Sequence, residues 1–481
     1  MAKASRTSLS SHPQAHGPRK KSWRQRQTDY FRQRYPRIEE MEIIHRQAAG
    51  IDLGGKKSHF VALEIGSEVE VQEFGMTTLQ LCAMVEYLLE HAVTSVAMES
   101  TGVYWMPVCE MLEHAGVEVY LVNPTHAKNV PGRRKDDKMD CRWLQKLHKF
   151  GLLSASFRPA KEIRPLRSFL RHRQCLVELS ADHLRRLQKL LDMMNVRIHK
   201  AVSDLGGATG MRILHAIVAG ETDPVVLAAF RDARCACSED QLREELTGFY
   251  PEHLVKQLAS VLRLYEGLLE EITRVDADIE DALKSLAPVP AADLAAQVAA
   301  DAHAWPKGKH APAFNTSAYV EIITGQDPTR LPGIGPQQSL RLLGELGQDM
   351  EKWPSVKHFG AFITLAPVDK ISGGHLYASH TRPGTHPAAV IFRQAASRVV
   401  QQEGAALAAY YHKVAKRRGK ARAMTALAYK IARMYFYLMK NGWAYVEVGE
   451  KHYEESYRQQ QMAALQKRAK RLGCVVTPMA A

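Results

Sequence analysis

The chain has 481 residues, of which 46% are hydrophobic and 24% are charged, so it can form about three folded domains and is not disordered as a whole. The formal net charge of +14 favours a polyanionic partner over a small metabolite. No run of about 18 apolar residues is present, and no apolar segment follows the basic N-terminal residues, so we expect neither a membrane protein nor a secreted one. Seven scattered cysteines fit a reduced, cytoplasmic compartment.

Residues 1–46 are predicted to form a basic, disordered arm. The first forty residues contain ten lysines and arginines and three acids, mixed with Ser, Pro, Gln and Gly. This composition does not favour a packed core, but it suits contacts to phosphates that do not read base sequence. A solvated tail without a partner is the alternative.

Residues 47–155 show the alternation of an α/β domain. The runs IDLG, SHFVALE, TSVAMES and VEVYLVNP have the pattern of strands, and LQLCAMVEYLLEHA, WMPVCEMLEHAG and MDCRWLQKLHKFG have the pattern of helices. Strands that alternate with helices predict a sheet with crossover helices. Acidic residues stand at the ends of predicted strands, where such folds place their chemistry.

Residues 156–290 are predicted to form two long helices of a coiled coil, because apolar residues recur there at steps of three and four. The first seam is Leu184, Leu187, Leu191, Met194, Ile198, Ala201 and Leu205. The second is Leu258, Val261, Tyr265, Leu268, Ile272, Val275, Ile279, Ala282 and Leu286. The first segment is basic and the second is acidic, so their charges favour pairing, within one chain or between subunits.

The remaining segments are predicted to be a linker, a second domain and a tail. Residues 291–327 are rich in Ala, Pro and His, which predicts a connection with little regular structure. Residues 328–445 open with LPGIGPQQSLRLLGELG and run through KHFGAFITLAPVDKISGG to MTALAYKIARMYFYLM, which predicts a small, mostly α-helical domain. Residues 446–481 are predicted to form a basic C-terminal helix.

Acidic residues on three predicted elements are candidate metal ligands. Asp52 ends the first strand, Glu99 ends the strand TSVAMES, and Asp136, Asp137 and Asp140 begin a helix. Asp140 can share a helix face with either of the other two, and helical spacing does not choose between them. Carboxylates that meet at one sheet edge suit a pair of Mg²⁺ ions, which take oxygen ligands and stabilise the entering and leaving oxygens of a phosphodiester. Taken singly, each acid is equally well explained as a solvated or capping residue.

The opening run AAGIDLGGKKSHFVALE is compatible with two classes of enzyme. One is an actin-like kinase, whose first hairpin closes on ATP, and the other is a ribonuclease H-like nuclease, whose first-strand aspartate binds Mg²⁺. A kinase needs a second phosphate loop of the type D-x-G-[ST], and DKISGG does not match it. The nuclease is therefore favoured, and the basic residues Arg133, Arg134, Lys135 and Lys138 are consistent with nearby phosphates.

Two glycine-containing turns are further candidate sites. In LAPVDKISGG, Ser372 precedes two glycines, so its hydroxyl can stand exposed and act as a nucleophile once a base or metal activates it. A serine that caps its own turn is the alternative. In LPGIG, Gly333 and Gly335 precede a helix, where amide groups can bind a phosphate as in helix-hairpin-helix DNA-binding proteins. A plain turn between helices is the alternative.

The ordered set of motifs resembles a known family. GIDLGGKKSHFVALE, MESTGVYW, VNPTHAKNVPGRRKDDKMDCRWLQKLH, LPGIG and LAPVDKISGG, in this order, resemble the DEDD transposases of bacterial insertion sequences, in the "one-ten" family. PAFNTSAYVEIITGQDPTRLPGIG and KHFGAFITLAPVDKISGG resemble its "eleven-eleven" branch. The resemblance covers about residues 45 to 475.

The resemblance implies an α/β ribonuclease H-like (RuvC-like) domain, then a helical coiled coil, then a small, mostly α-helical serine transposase domain. The family acids fall on Asp52, Glu99, Asp137 and Asp140, with Mg²⁺ as cofactor, and the family serine falls on Ser372. The chain departs from the family at Asp136, where Thr or Ser is usual, so an extra negative charge adjoins the site.

The resemblance also implies a mechanism and partners. The serine attacks a DNA phosphodiester and forms a covalent phosphoserine, which keeps the bond energy for strand exchange without ATP. A structured guide RNA, the bridge RNA, pairs with donor and target DNA. Exchange at two DNAs suits a homo-oligomer, a dimer or tetramer, in the bacterial cytoplasm at the nucleoid.

Two other functions stay as alternatives. The first is a RuvC-type nuclease or junction resolvase, in which water attacks the phosphodiester and Ser372 is structural. The second is a non-enzymatic RNA-binding or architectural protein with a degraded site, and the intact set of four acids argues against it.

Overall fold

The computed structural model describes most of the chain between residues 41 and 474. The described ranges are 41–54, 58–100, 102–123, 137–300, 310–373, 375–382, 386–402 and 406–474. Most of the predicted basic arm lies outside these ranges, as do Arg133, Arg134, Lys135 and Asp136. The chain divides into two units, Met1–Arg158 and Pro159–Ala481, which are treated separately below.

The first unit is built on a five-stranded sheet with the strand order β3-β2-β1-β4-β5. The first three strands form an antiparallel meander, and β4 and β5 are added in parallel to β1. This mixed sheet with helices confirms the α/β prediction and is consistent with a ribonuclease H-like fold. Its elements are β1 (Ala48–Leu53), β2 (Ser58–Ile65), β3 (Glu68–Gly75), α1 (Thr78–Glu90), β4 (Ser95–Glu99), α2 (Trp105–His114), β5 (Glu118–Val122) and α3 (Asp137–Lys149).

Helices cover both faces of this sheet. On one face, α1 and α2 pack against apolar strand residues that include Ile51, Val61 and Met98. On the other face, α3 packs against β1, and its Leu144 is buried with Ala97 of β4 and Val122 of β5. Because strand side chains alternate in direction, Gly50 and Asp52 of β1 face α3, whereas Ile51 faces the opposite helices.

Helix α3 lies in direct backbone contact with β1 at Gly50. A Cβ atom added to Gly50 would lie 2.3 Å from the Cys141 carbonyl oxygen and 2.3 Å from the Gln145 amide nitrogen. The Gln145 side-chain amide donates to the Ala48 carbonyl oxygen at 3.4 Å. One helical turn farther along, His148 Nε2 lies 2.9 Å from Ser95 Oγ at the start of β4. Only a glycine at position 50 allows the helix to approach the strand this closely.

The second unit is organised around two long antiparallel helices. These are α4 (Ile163–Met193) and α8 (Glu252–Leu286), which pack along each other. In the first half of α4 and the second half of α8, Arg173 Nε and Nη2 donate to the two carboxylate oxygens of Asp276 at 2.5 and 3.0 Å, and both side chains are buried. The structure thus places the two predicted seams in contact within one chain, and their description as a coiled coil stays a prediction.

The first predicted seam extends beyond the helix that carries it. Helix α4 ends at Met193, and Asn195 has a left-handed φ of 55°, which turns the backbone away from the helix axis. Residues Met194, Ile198 and Leu205 are still buried, but in a cluster that the ends of both long helices form with the short helices that follow. These are α5 (Ala208–Val218), α6 (Pro224–Ala228) and α7 (Glu239–Leu246).

The prediction of a linker with little regular structure at residues 291–327 was wrong. The alanine-rich stretch forms α9 (Ala291–Ala300), as the high helix propensity of alanine favours. Residues Thr316–Thr324 form α10, whose N-terminus is capped by the Asn315 side chain accepting from the Ala318 amide at 3.3 Å. Tyr319 and Val320 of α10 are buried against the long helices, so this segment belongs to the core of the second unit.

The rest of the second unit is mostly helical, with one β-hairpin. The C-terminal helix begins at Trp443, three residues before the predicted start. The elements are α11 (Pro336–Leu346), α12 (Val356–Phe362), β6 (Pro367–Ser372), β7 (His375–Thr381), α13 (Pro387–Val400), α14 (Ala406–Arg418), α15 (Lys420–Asn441) and α16 (Trp443–Arg471). Along the parts of the chain that the structure describes, no helix has the length and apolar character needed to cross a membrane.

We expect Gly50→Ala to destabilise the first unit by about 1–3 kcal/mol, because the added methyl group would force α3 away from β1. Equilibrium unfolding in denaturant measures the change. The control is Gly267→Ala on α8, where a Cβ atom would meet nothing within 4 Å and alanine should be neutral or stabilising. Equal stability of the Gly50→Ala protein and the wild type would contradict the proposed close contact.

We expect His148 to make the first unit less stable in acid. Burial, with a further contribution from His45, lowers the pKa of His148 to about 4, whereas an unfolded histidine titrates near about 6.5. The contribution of neutral His148 to the free energy of unfolding is therefore complete above about pH 6.5. It is lost as the pH falls toward 4, because the unfolded chain then binds a proton that the folded chain does not.

The measurement is the free energy of unfolding between pH 4 and pH 7. His148→Gln should flatten the profile by an amount on the order of 3 kcal/mol, and His114→Gln, at an exposed histidine of the same unit, should leave it unchanged. Parallel profiles for wild type and His148→Gln would show that another group causes the acid sensitivity.

Candidate active site

Asp52 and Glu99 lie side by side at the carboxyl ends of two neighbouring parallel strands. In the register of β1 and β4, Gly50 pairs with Ala97 and Ile51 with Met98, so the next positions on the two strands are Asp52 and Glu99. Paired residues of parallel strands project to the same face of the sheet. Both carboxylates therefore project toward the face that α3 covers.

Helix α3 brings a third carboxylate to the same edge. The helix runs antiparallel to β1, since Cys141 lies over Gly50 while His148 lies at the start of β4. Its N-terminal turn is consequently at the carboxyl ends of the strands. Asp140 precedes the buried Leu144 by four residues, so the two share the helix face that meets the sheet.

The electrostatics of Cys141 support this placement. The thiol is fully buried, and its burial raises its pKa to about 12, with a further rise caused by the carboxylate of Asp52. Asp52 thus acts on a residue that directly follows Asp140 in the chain. Glu99 is only 7% exposed, so its carboxylate is held in a poorly solvated position, where a charged partner has a strong effect.

Asp137 is the first residue of α3, three positions before Asp140, which agrees with the alignment implied by the resemblance. Its side chain and that of Lys138 lie outside the described residues. The predicted phosphate contacts of Arg133, Arg134 and Lys135 stay untested for the same reason.

The donor set has the right chemistry for a hard divalent cation. Asp52, Glu99 and Asp140 offer carboxylate oxygens from three elements at one sheet edge, which is the ligand type that Mg²⁺ takes. Among the side chains that the structure describes, no three potential ligands form a metal-binding group by themselves. Asp137, whose side chain is outside that part, is the fourth acid that the resemblance implies.

Ser372 lies in the second unit, at the tip of a two-stranded hairpin. It is the last residue of β6 and pairs with His375, the first residue of β7. Gly373 follows with a left-handed φ of 55°, as a tight turn requires. The serine is exposed, and around it Ile371, Leu376 and Tyr377 are 64%, 60% and 67% exposed. Its hydroxyl is accessible to a large substrate.

The LPGIG turn joins α10 to α11, and both of its glycines have internal roles. The Gly335 amide donates to Gln338 Oε1 at 2.9 Å, and this oxygen also accepts from Arg398 at 2.9 Å. Gly333 has a φ of 77°, and a Cβ atom there would lie 2.4 Å from the Ala395 carbonyl oxygen. Close packing against α13 therefore explains the glycine at position 333, and the amide of Gly335 takes part in capping α11. The predicted phosphate contact of the two glycines stays untested.

The contact between α3 and Gly50 was not predicted from the sequence. Its sequence signal is the run Ala48-Ala49-Gly50, which lies two residues before Asp52. Small residues in a strand mark a place where another backbone comes close. The same analysis overlooked His148, whose hydrogen bond to Ser95 secures the far end of α3.

Comparison with known families gives two matches in different parts of the chain. A transposase model of the DEDD type, DEDD_Tnp_IS110, matches residues 49–196 and spans all four predicted acids. A second model, described as "Transposase IS116/IS110/IS902 family", matches residues 329–412 and spans Gly333, Gly335 and Ser372. No curated protein matches the chain. The two matches, in the order that the motifs predict, show that the chain belongs to the IS110 family of transposases and is an enzyme that acts on DNA.

Proposed function

We propose that this transposase is an RNA-guided DNA recombinase that uses both candidate sites in one reaction. The observation that carries the proposal is that Asp52, Glu99 and Asp140 lie at the same sheet edge, next to the N-terminal turn of α3. Carboxylate oxygens are the ligand type that Mg²⁺ takes. The exposed position of Ser372 supports the second part of the proposal, in which this serine is the nucleophile.

In this proposal, Asp52, Glu99, Asp137 and Asp140 hold Mg²⁺ at the sheet edge. The metal, when bound, stabilises the negative charge that develops on the phosphate oxygens during strand cleavage. The protein contributes the rigid placement of the acids, since the contact at Gly50 fixes α3 against the strands. The four acids would hold the ion, and the ion would supply a binding point for a DNA phosphate at this edge.

Ser372 is proposed as the nucleophile. Its Oγ forms a bond to the phosphorus while one bridging P–O bond of the DNA breaks, and the hydroxyl proton is transferred so that a free DNA hydroxyl leaves. The number of phosphoester bonds is unchanged, so the reverse step with another DNA hydroxyl joins strands without ATP. Exposure of the serine at a hairpin tip suits attack on a macromolecular substrate.

The partners in this proposal are donor DNA, target DNA and a structured guide RNA. The net charge of +14 supports polyanionic partners, and the resemblance to the "eleven-eleven" branch supports the RNA. Strand exchange between two DNAs suits a dimer or tetramer acting at the bacterial nucleoid.

We expect Ser372→Ala to abolish a covalent protein–DNA product, lowering its yield by about a thousand-fold or more, because the nucleophile is lost. The purified protein with its bound nucleic acid is incubated with element-end DNA and Mg²⁺ and then separated by denaturing electrophoresis. Ser379→Ala, at an exposed serine of the same hairpin, is the matched control and should keep the product.

A variant of Asp52 tests the role of the acids, and sequencing of the bound RNA tests the guide. Asp52→Asn should lose both the product and its dependence on Mg²⁺, while Glu86→Gln, at an exposed acid of the same unit, should retain them. Sequencing of the co-purifying RNA should yield one discrete species. Cleaved DNA without a linked product would reject the serine mechanism and favour a nuclease in which water attacks.

A further inference from the structure

The corner between α14 and α15 carries a dense cluster of cations that the proposed chemistry does not use. Six of the ten residues from 413 to 422 are basic, and none of residues 406–441 is acidic. We call this group the basic corner. Its members are Lys413, Lys416, Arg417, Arg418, Lys420 and Arg422.

All six side chains of the basic corner are exposed, and none forms a salt bridge or hydrogen bond with a residue that the structure describes. Several exposed cations elsewhere in the second unit have carboxylate partners. Arg185 pairs with Asp182, and Lys256 pairs with Glu252 on the same helix. The positive charge of the basic corner is therefore uncompensated within the described part of the chain.

The backbone that carries the basic corner is well anchored. Tyr411 of α14 and Ala423 and Leu427 of α15 are buried, and the two helices pack together. Gly419 joins them with a left-handed φ of 85°, which allows the sharp change of direction. Lys413, Lys416 and Arg417 are three and four residues apart, so they share one face of α14. The anchored helices thus present exposed cations on both sides of the turn at Gly419, three of them on one face of α14.

This arrangement fits the phosphodiester backbone of a nucleic acid. Like charges grouped without acids repel each other, and a polyanion both removes that repulsion and releases its own bound counterions. Lysine and arginine on helix surfaces are the usual contacts to phosphates, which orient a nucleic acid without reading its sequence. The family match ends at residue 412, one position before the first lysine of the cluster.

We propose that the basic corner is a nucleic-acid backbone-binding surface of this transposase. The inference rests on the proposed function, because it names the surface that holds a nucleic acid while the catalytic residues act. The six side chains take part in no chemical step, and they bind the nucleic acid through their charge alone.

The test replaces all six cations by glutamine and measures binding as a function of salt. For duplex DNA, each phosphate contact contributes about 0.9 to the slope of log K against log salt concentration, and for single strands about 0.7. We expect the slope to fall in magnitude by at least about 3, with affinity near 0.15 M salt lower by about ten-fold or more. Duplex DNA, single-stranded DNA and the co-purifying RNA are measured in parallel.

A matched control removes six cations that already have carboxylate partners in the same unit. These are Arg185, Arg234, Arg243, Lys256, Arg274 and Lys284, each replaced by glutamine. The control changes net charge by the same amount, so an equal loss of slope would overturn the proposal in favour of a general charge effect.

The outcomes separate the possible sources of the phosphodiester. A smaller slope with duplex DNA alone assigns the surface to donor or target DNA. A smaller slope with RNA alone assigns the surface to the guide RNA. An unchanged slope with every nucleic acid rejects the inference. If the sixfold variant fails to fold, a triple variant at Lys416, Arg417 and Arg418 should lose about half as much slope, and no change there would also reject it.

This test is independent of strand exchange. Binding slopes are measured without Mg²⁺ and without cleavage, so they stand even if Ser372→Ala retains the covalent product.

Discussion

The contact between α3 and β1 at Gly50 is the constraint on which the candidate metal site depends. The positions of Asp52 and Glu99 are set by strand register, whereas the position of Asp140 is set by the contact between the helix backbone and the strand backbone. A side chain of any size at position 50 would increase the separation of helix and sheet. The missing side chain at Gly50 therefore determines how near Asp140 can lie to the two strand acids.

The second unit depends on a different kind of contact. Its two long helices bury a charged pair, Arg173 and Asp276, within one apolar cluster that flanks the pair on both sides. The Arg173 guanidinium also donates to the His310 carbonyl oxygen at 2.7 Å, so the charge is hydrogen-bonded on more than one side. A buried pair of this type adds little net stability but strongly disfavours any register that separates it. It therefore specifies how the two helices align.

Sequence reasoning located the acids of the first unit because strand patterns carry strong local signals. Asp52 and Glu99 each follow an apolar run, and their proximity follows from the parallel pairing of adjacent strands. The periodicity of apolar residues did not predict the helix boundaries correctly where tertiary contacts determine them. The seam that continues to Leu205 is apolar because those residues are buried, but a left-handed Asn195 ends the helix first. The segment around Tyr319 was read as a linker, although packing on the long helices makes it helical.

The hairpin that carries Ser372 has no buried residue in either strand, and three large apolar side chains at its tip face water. Two strands without a covered face have little stability of their own. Whatever substrate or protein surface packs on Ile371, Leu376 and Tyr377 gains apolar contact and orders the serine at the same moment. The position of Ser372 is thus linked to whatever surface covers the apolar tip of its hairpin.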